Sequence, residues 1–134
     1  MSLDTRAPDP LDQAWAEAQL LEEEGHLWRR QSPVDRRHTI KVARRFLEAR
    51  PDATRAEIAG ALLHDIGKLD CGLGTWGRVV ASVVGPRTER FRSYHDHEQI
   101  GADMLVAIGS DVATVELVAE RGPAFPILHG CDRA

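Results

Sequence analysis

The sequence predicts an all-α fold, and three observations point to it. Apolar residues recur at helical spacing through most of the chain. Several segments begin with an N-cap residue and end before a proline or a glycine. Strand signals are weak, because the β-branched run at residues 79–84 has no alternating partner run with which to pair. We therefore expect a compact bundle of about six to seven helices.

Length and composition indicate one globular domain. Of the 134 residues, 43% are hydrophobic and 28% are charged, which is typical of a folded soluble protein. We treat residues 1–134 as a single domain. Within it, residues 1–31 form an N-terminal extension and a helix that pack on a core of residues 32–134.

Charge and hydropathy exclude several classes of function. The net charge of −4 disfavours nucleic-acid binding, since such modules are usually strongly basic. No apolar run approaches the roughly 20 residues of a membrane span, and the N-terminus lacks the apolar region of a secretory signal. Cys71 and Cys131 fit neither a zinc site nor a disulfide framework, which favours the cytoplasm. We expect no nucleic-acid or membrane partner. The sequence leaves open whether the chain forms a homodimer.

The first two predicted helices cover residues 11–28 and 33–49. In the first, apolar residues recur near helical spacing on one face. The second begins after an N-cap candidate, Ser32, and has Pro33 at its first position. It ends before Pro51, which forbids continuation.

The third predicted helix begins at Thr54 and ends near Asp65 and Ile66. The four residues from Thr54 to Glu57 match the capping-box pattern, in which each side chain accepts a hydrogen bond from the other residue's N–H. Gly67 supplies the C-terminal stop.

The second half of the chain has weaker boundaries. A glycine-rich loop is expected at residues 72–77, and a short helix at residues 78–84. Two further helices are expected at residues 97–108 and 111–120. Residues 125–132 are too short a stretch to assign.

One carboxylate on the third helix needs a cation. Asp65 continues the apolar stripe that starts at Ile58 and includes Leu62, so we expect it to face the core, where an unpaired charge is very unfavourable. It also falls in the last turn, where the helix dipole disfavours an anion by roughly 0.3–1 kcal/mol. An arginine could supply the positive charge in a buried salt bridge. The alternative is a metal ion shared with the adjacent imidazole of His64, since nitrogen and oxygen donors together suit Mn, Fe, Co, Ni or Zn.

His38 is a further candidate ligand. It lies on the helix face that continues through Val42 and Phe46, so we expect its side chain to point at least partly toward the core. Most single histidines are structural or surface residues, and the position of His38 alone does not distinguish these roles.

Together these residues resemble the motif of the HD-domain superfamily of metal-dependent phosphohydrolases. That motif is an early histidine, a His-Asp doublet and a distant aspartate. Here it reads His38 in RRHTIKVARRF, His64 and Asp65 in ALLHDIGK, and Asp132 near the C-terminus. The resemblance covers residues 34–132. It implies an HD-domain bundle in which these four side chains coordinate one divalent metal ion, which could be Mn, Fe, Co, Ni, Zn or Mg.

The resemblance also implies an activity, the hydrolysis of a phosphate ester or anhydride of a nucleotide or related small molecule. Asp65 would orient the attacking water, and Lys68, which is similar to the lysine after the doublet in many members, would reach a phosphate. The segment HEQIGADML, which starts at His97, is similar to the His-x-x-x-Gly stretch of the HD-GYP and related branches. His97 would then hold a second metal or donate a proton to the leaving group.

Simpler interpretations exist for these two residues. Lys68 could be a C-terminal helix cap with no contact to substrate. For His97, an N-cap at Asp96 and a first-turn acid at Glu98 would explain the polar cluster without any catalytic role.

Other side chains are weaker candidates. Arg87 and Arg92, with Arg90 between them, are assigned to substrate binding but could equally belong to a solvated loop. Trp76 could offer a stacking face or be part of the core. His129 is expected to be a surface residue, with a compensating ligand as the alternative.

The sequence predicts one metal ion for each chain rather than two. Dinuclear members resemble one another in having two further histidines, one at the position of His97 and one on a later helix. At the later position this chain has Glu120 and Arg121, and Arg121 would repel a second divalent ion. We therefore expect His97 to act on substrate or water.

Two interpretations without catalysis remain. The chain could be an HD fold that binds a metal or a nucleotide in signalling or assembly. It could also be a helical interaction domain whose histidines and aspartates never converge.

Overall fold

A computed structural model describes residues 7–68 and 97–133, whose regular structure is entirely helical. No strand occurs in these two ranges, so the predicted all-α class is confirmed. The expected loop at residues 72–77 and helix at residues 78–84 lie outside the described residues. Numbered along the described part of the chain, the helices are α1 (Pro10–Ala18), α2 (Glu22–Arg29), α3 (Pro33–Ala49), α4 (Arg55–Leu62), α5 (His97–Ala107), α6 (Val112–Val118) and α7 (Phe125–Arg133).

The prediction of one continuous helix over residues 11–28 is wrong, because the chain breaks between α1 and α2. Leu21 is extended at the start of α2, and its N–H donates to the Glu24 carboxylate at 2.9 Å. Glu24 is fully buried, and its other oxygen accepts a hydrogen bond from the Ser110 hydroxyl at 2.7 Å. A carbonyl after α1 accepts a 2.6 Å hydrogen bond from Arg55. The break is therefore stabilised by side chains that are distant in sequence.

Both predicted N-caps are confirmed. The Ser32 hydroxyl accepts a hydrogen bond from the N–H of Asp35 at 3.1 Å at the start of α3. At the start of α4, the Thr54 hydroxyl accepts from the N–H of Glu57 at 3.2 Å, and the Glu57 carboxylate accepts from the N–H of Thr54 at 3.1 Å. Each bond satisfies a backbone N–H that has no partner within the helix.

Helix α4 lies at the centre of the described bundle. All six residues at positions 58–63 are buried, as expected of a helix that is apolar all round. Helix α4 packs on α3 and α6, while α6 also packs on α5, and α3 also packs on α7. The approach of α6 is close, since a Cβ atom added at Gly60 would lie 3.0 Å from the Leu117 side chain.

Helix α4 ends at Leu62, earlier than the predicted end near Asp65. The Nδ1 atom of His64 donates to the carbonyl of Ala61 at 2.7 Å. In a continued helix, that carbonyl would accept from the N–H of residue 65. Asp65 therefore lies beyond the helix, in a turn, and the argument from its position in the last helical turn does not apply.

The C-terminal helices match the predictions to within two or three residues. Helix α5 is one residue shorter than predicted, and α6 begins one residue later and ends two residues earlier. Residues 125–132, too short a stretch to assign from the sequence, belong to α7, which contains Gly130. Glu120, just beyond α6, has a φ of 65°, a conformation in which helices most often place glycine.

One hydrophobic core joins the N-terminal helices to the rest. Leu27 and Trp28 of α2 are fully buried in the same cluster as Phe46, Leu62 and Met104. None of the helices in the described ranges is long and apolar enough to cross a membrane.

Candidate metal centre

Side chains from three parts of the chain meet beside the end of α4. One nitrogen of His38, one nitrogen of His64 and one carboxylate oxygen of Asp65 all lie within 4.8 Å of one another. Asp132 of α7 joins them, because its Oδ1 atom lies 3.0 Å from Nε2 of His38 and 3.3 Å from Nε2 of His64. The structure therefore brings together all four predicted ligands, and the interpretation in which they never converge is wrong.

His64 is the least exposed member of this group. Its side chain is 11% exposed, against 28% for Asp65, 36% for Asp132 and 45% for His38. His38 thus lies at the exposed rim of the site, although its helix face led us to expect a side chain pointing partly toward the core. Val42 and Phe46 on the same face are buried, whereas this earlier turn of α3 faces the end of α7.

The orientation of His64 indicates where a cation fits. Its Nδ1–H donates to the carbonyl of Ala61, so the neutral ring carries its lone pair on Nε2. That Nε2 atom is buried without a hydrogen-bond partner, and it lies 3.3 Å from a carboxylate oxygen of Asp65 and from one of Asp132. A lone pair that faces two anions is unfavourable, and either a proton on Nε2 or a metal ion among these groups removes the repulsion. Two imidazole nitrogens and two carboxylates suit a divalent transition metal, so the residues present fit such an ion.

Asp132 is electrostatically adapted to this position. Burial raises the pKa of its carboxyl group, but the nearby imidazoles of His64 and His38 outweigh burial, and the net effect holds that pKa below its usual range. The carboxylate form, which is the form that binds cations, is therefore favoured.

Asp65 has a lysine as its neighbouring cation rather than the arginine considered above. Within the part of the chain that the structure describes, Nζ of Lys68 lies 3.5 Å from Oδ1 of Asp65. The Lys68 side chain is 62% exposed, so this contact is weak. The ammonium group therefore lies beside the candidate metal centre and remains accessible to an anion.

A solvent-open cavity of about 190 Å³ adjoins three of the four candidate ligands. His64, Asp65 and Asp132 line it together with Lys68 and His97. His97 therefore lies next to the candidate centre, where the sequence placed it.

Close backbone packing holds His97 at this cavity. A Cβ atom added at Gly67 would overlap the carbonyl oxygen of His97 and lie 2.9 Å from the backbone nitrogen of Gly101. Only glycine allows the turn after α4 to approach the first turn of α5 so closely. This contact keeps the His-Asp doublet and His97 on the same cavity.

Several residues that line the cavity are not among the site residues predicted from the sequence. His129, expected on the surface, is exposed but lines the cavity, where its ring centroid lies 5.5 Å from that of Phe125. Glu98 and Glu120 also line it. The position of His129 three residues before Asp132 was a usable signal, since residues three apart share a helix face, but the helix itself was not predicted.

Arg87, Arg90, Arg92, Trp76 and Asp96 lie outside the described residues.

Comparisons with protein-family models, with curated proteins and with solved structures find no match for this chain. The resemblance to the HD-domain superfamily therefore stays a prediction. The case for function depends on the geometry of the four candidate ligands and of the cavity beside them.

Proposed function

We propose that this protein is a metal-dependent phosphohydrolase of the HD-domain type, with one divalent ion held by His38, His64, Asp65 and Asp132. The observation that carries the proposal is the buried Nε2 atom of His64, which faces two carboxylate oxygens at 3.3 Å. A bound cation removes the repulsion in this arrangement, and the donor set matches a divalent transition metal.

The side chains around the site have distinct roles in this proposal. A bound ion would lower the pKa of a coordinated water and would place positive charge near the phosphoryl oxygens. The hydrogen bond to the Ala61 carbonyl fixes the tautomer and the orientation of His64. Asp65 orients the attacking water and accepts hydrogen bonds from it. Lys68 offsets negative charge on the phosphoryl group, and His97 donates a proton to the leaving group.

The cavity supports a small substrate. It has a volume of about 190 Å³ and is open to solvent, so a small molecule can enter it and extend out of it. A phosphate at the candidate centre would lie beside both Asp65 and Lys68, and the rest of the molecule would extend along the cavity. A phosphate ester or anhydride of a nucleotide or related compound is the class that we propose.

Metal analysis and turnover test the proposal together. Protein purified without chelator should contain close to one equivalent of a transition metal by elemental analysis. After removal of metal and addition of Mn, Co, Ni, Zn or Mg, at least one ion should restore hydrolysis of 4-nitrophenyl phosphate or of a member of a nucleotide panel. Protein that binds none of these ions contradicts the proposal.

A non-catalytic metal-binding module is the second candidate, and one observation favours it. Lys68 is the only lysine or arginine that lines the described part of the cavity, and its ammonium group already neighbours Asp65. Such a cavity attracts phosphate less strongly than one with free cations does. Tight metal binding without turnover of any phosphate substrate would support this second function.

A further inference from the structure

Glu120 occupies a backbone position that disfavours glutamate. It follows α6 with a φ of 65°. Its N–H donates to the Leu117 carbonyl at 3.1 Å, and the N–H of Arg121 donates to the Glu116 carbonyl at 2.8 Å. These two bonds define a Schellman motif, in which glycine is the preferred residue at this position. The fold therefore gains nothing from a glutamate at residue 120.

The Glu120 carboxylate lines the cavity beside the candidate metal centre. Its side chain is exposed, and no hydrogen bond or ion pair engages it within the described ranges. Asp65 and Asp132, two other carboxylates of the cavity, already contact His64. Among the described residues, Glu120 makes no such contact, so its carboxylate can bind a ligand without breaking one.

Part of the cavity wall is apolar. It is formed by Leu117, Val118, Phe125 and Leu128, and the ring centroid of Phe125 lies 5.5 Å from that of His129. A phosphate at the candidate centre would place the organic part of its ester against this wall. Glu120 would then lie within reach of the polar groups on that organic part.

We infer that Glu120 is a specificity-determining residue that accepts hydrogen bonds from hydroxyl groups on the organic part of a phosphate monoester. The inference rests on the proposed function, because that function places the phosphate. An ionised carboxylate only accepts hydrogen bonds, and it can accept from two neighbouring hydroxyls at once. Its charge also repels further phosphate groups. The preferred substrate class is therefore a monophosphate of a hydroxyl-rich alcohol rather than a polyphosphate.

Substitution of Glu120 by glutamine tests this inference, because it removes the charge and leaves the size unchanged. Ribose 5-phosphate carries the required hydroxyls, whereas 4-nitrophenyl phosphate has none. In Glu120→Gln we expect kcat/KM for ribose 5-phosphate to fall about ten- to a hundredfold, the effect of losing a hydrogen bond to a charged group. For 4-nitrophenyl phosphate the change should be less than about threefold, and inhibition by tripolyphosphate should become stronger.

Two further variants exclude indirect effects. Glu116→Gln removes an exposed carboxylate of α6 that does not line the cavity, so it should leave both substrates unchanged. Glu120→Gly should raise the melting temperature, because glycine suits the left-handed backbone, while the preference for ribose 5-phosphate is lost. A gain in stability together with this loss separates a substrate contact from a structural role.

Calorimetric binding of ribose 5-phosphate to the metal-loaded protein separates this inference from the proposed function. If turnover is absent but the affinity falls in Glu120→Gln and not in Glu116→Gln, the phosphohydrolase proposal fails and the role of Glu120 stands. Turnover with equal effects of Glu120→Gln on both substrates, or with none, overturns the inference alone. Absence of both turnover and Glu120-dependent binding overturns both.

Discussion

Nε2 of His38 and Oδ1 of Asp132 lie 3.0 Å apart, although 94 residues separate them in the chain. The same Asp132 oxygen lies 3.3 Å from Nε2 of His64, so α7 connects the histidine of α3 to the one that follows α4. Asp132 therefore completes the cluster that His38, His64 and Asp65 begin.

Asp65→Asn should abolish metal retention. The amide retains an oxygen donor but loses the negative charge that balances the cation, and amides are poor ligands for transition metals. Elemental analysis after gel filtration measures the remaining metal. Asp52→Asn, at an exposed aspartate away from the cluster, is the matched control and should retain metal. Full occupancy in Asp65→Asn would remove Asp65 from the ligand set.

Lys68→Ala should lower kcat/KM for phosphate substrates by about tenfold, which corresponds to about 1.4 kcal/mol, without changing the metal content. The ammonium group lies beside Asp65 at 3.5 Å and is not itself a ligand, so its loss affects the anion rather than the ion. Lys41→Ala, at an exposed lysine on α3, provides the control. An unchanged kcat/KM in Lys68→Ala would leave only a role at the end of the helix.

His97→Ala should retain one equivalent of metal and lose activity by roughly 10²- to 10⁴-fold, the usual contribution of a proton donor. His97 lines the cavity with His64 and Asp65, but we predict that it holds no ion. Metal content and kcat are measured on the same sample, with His26→Ala at an exposed position as the control. Two well-occupied ions about 3.5–4 Å apart would refute this and would point to His97 and Glu120 as further ligands.

Gly130→Ala should stabilise the protein by about 0.5–1 kcal/mol, because alanine has the higher helix propensity. Gly130 lies within α7, and an added Cβ atom there meets nothing within 4 Å. Urea unfolding in EDTA measures the change without a contribution from bound metal. Gly101→Ala is the opposing control, since its Cβ would lie 3.0 Å from Ile66 and should destabilise by about 1–3 kcal/mol. A loss of stability in Gly130→Ala would contradict the helix assignment.

Glu57 should make stability depend on pH in the acid range. Its carboxylate accepts two hydrogen bonds from Arg50, at 3.0 and 3.1 Å, and this pairing lowers the pKa of the Glu57 carboxyl group despite some burial. A lowered folded-state pKa means that the stabilisation is present above the unfolded pKa, about 4.3, and is lost as the pH falls through the folded pKa.

Glu57→Gln should therefore be less stable than the parent protein near pH 7, and the difference should shrink below about pH 4. Chemical unfolding at pH 3, 5 and 7 measures it, with Glu48→Gln at an exposed position on α3 as the control. A difference that stays constant across this range would show that the Arg50 pair does not contribute through the charge of Glu57.

The starts of α3 and α4 were predictable because they depend on local bonds. The Ser32 and Thr54 side chains bind backbone N–H groups only three residues away, so a short window of sequence contains all the partners. The His-Asp doublet and His38 were likewise visible as residue types in a spaced pattern. These residues converge because α3 packs on α4. This packing is favourable because it buries the apolar faces of both helices.

Helix ends and the closing of the site were decided by tertiary contacts. Glu24 breaks the first predicted helix because Ser110, 86 residues away, shares its carboxylate. Residues 125–132 were too short to assign as a helix, since isolated short helices are marginal in water, and α7 forms where it packs on α3. The sequence by itself determined the fold class and the N-caps of α3 and α4, and it named all four candidate ligands. Only the tertiary structure placed Asp132, His129 and Glu120 around one cavity, because their positions depend on partners far away in the chain.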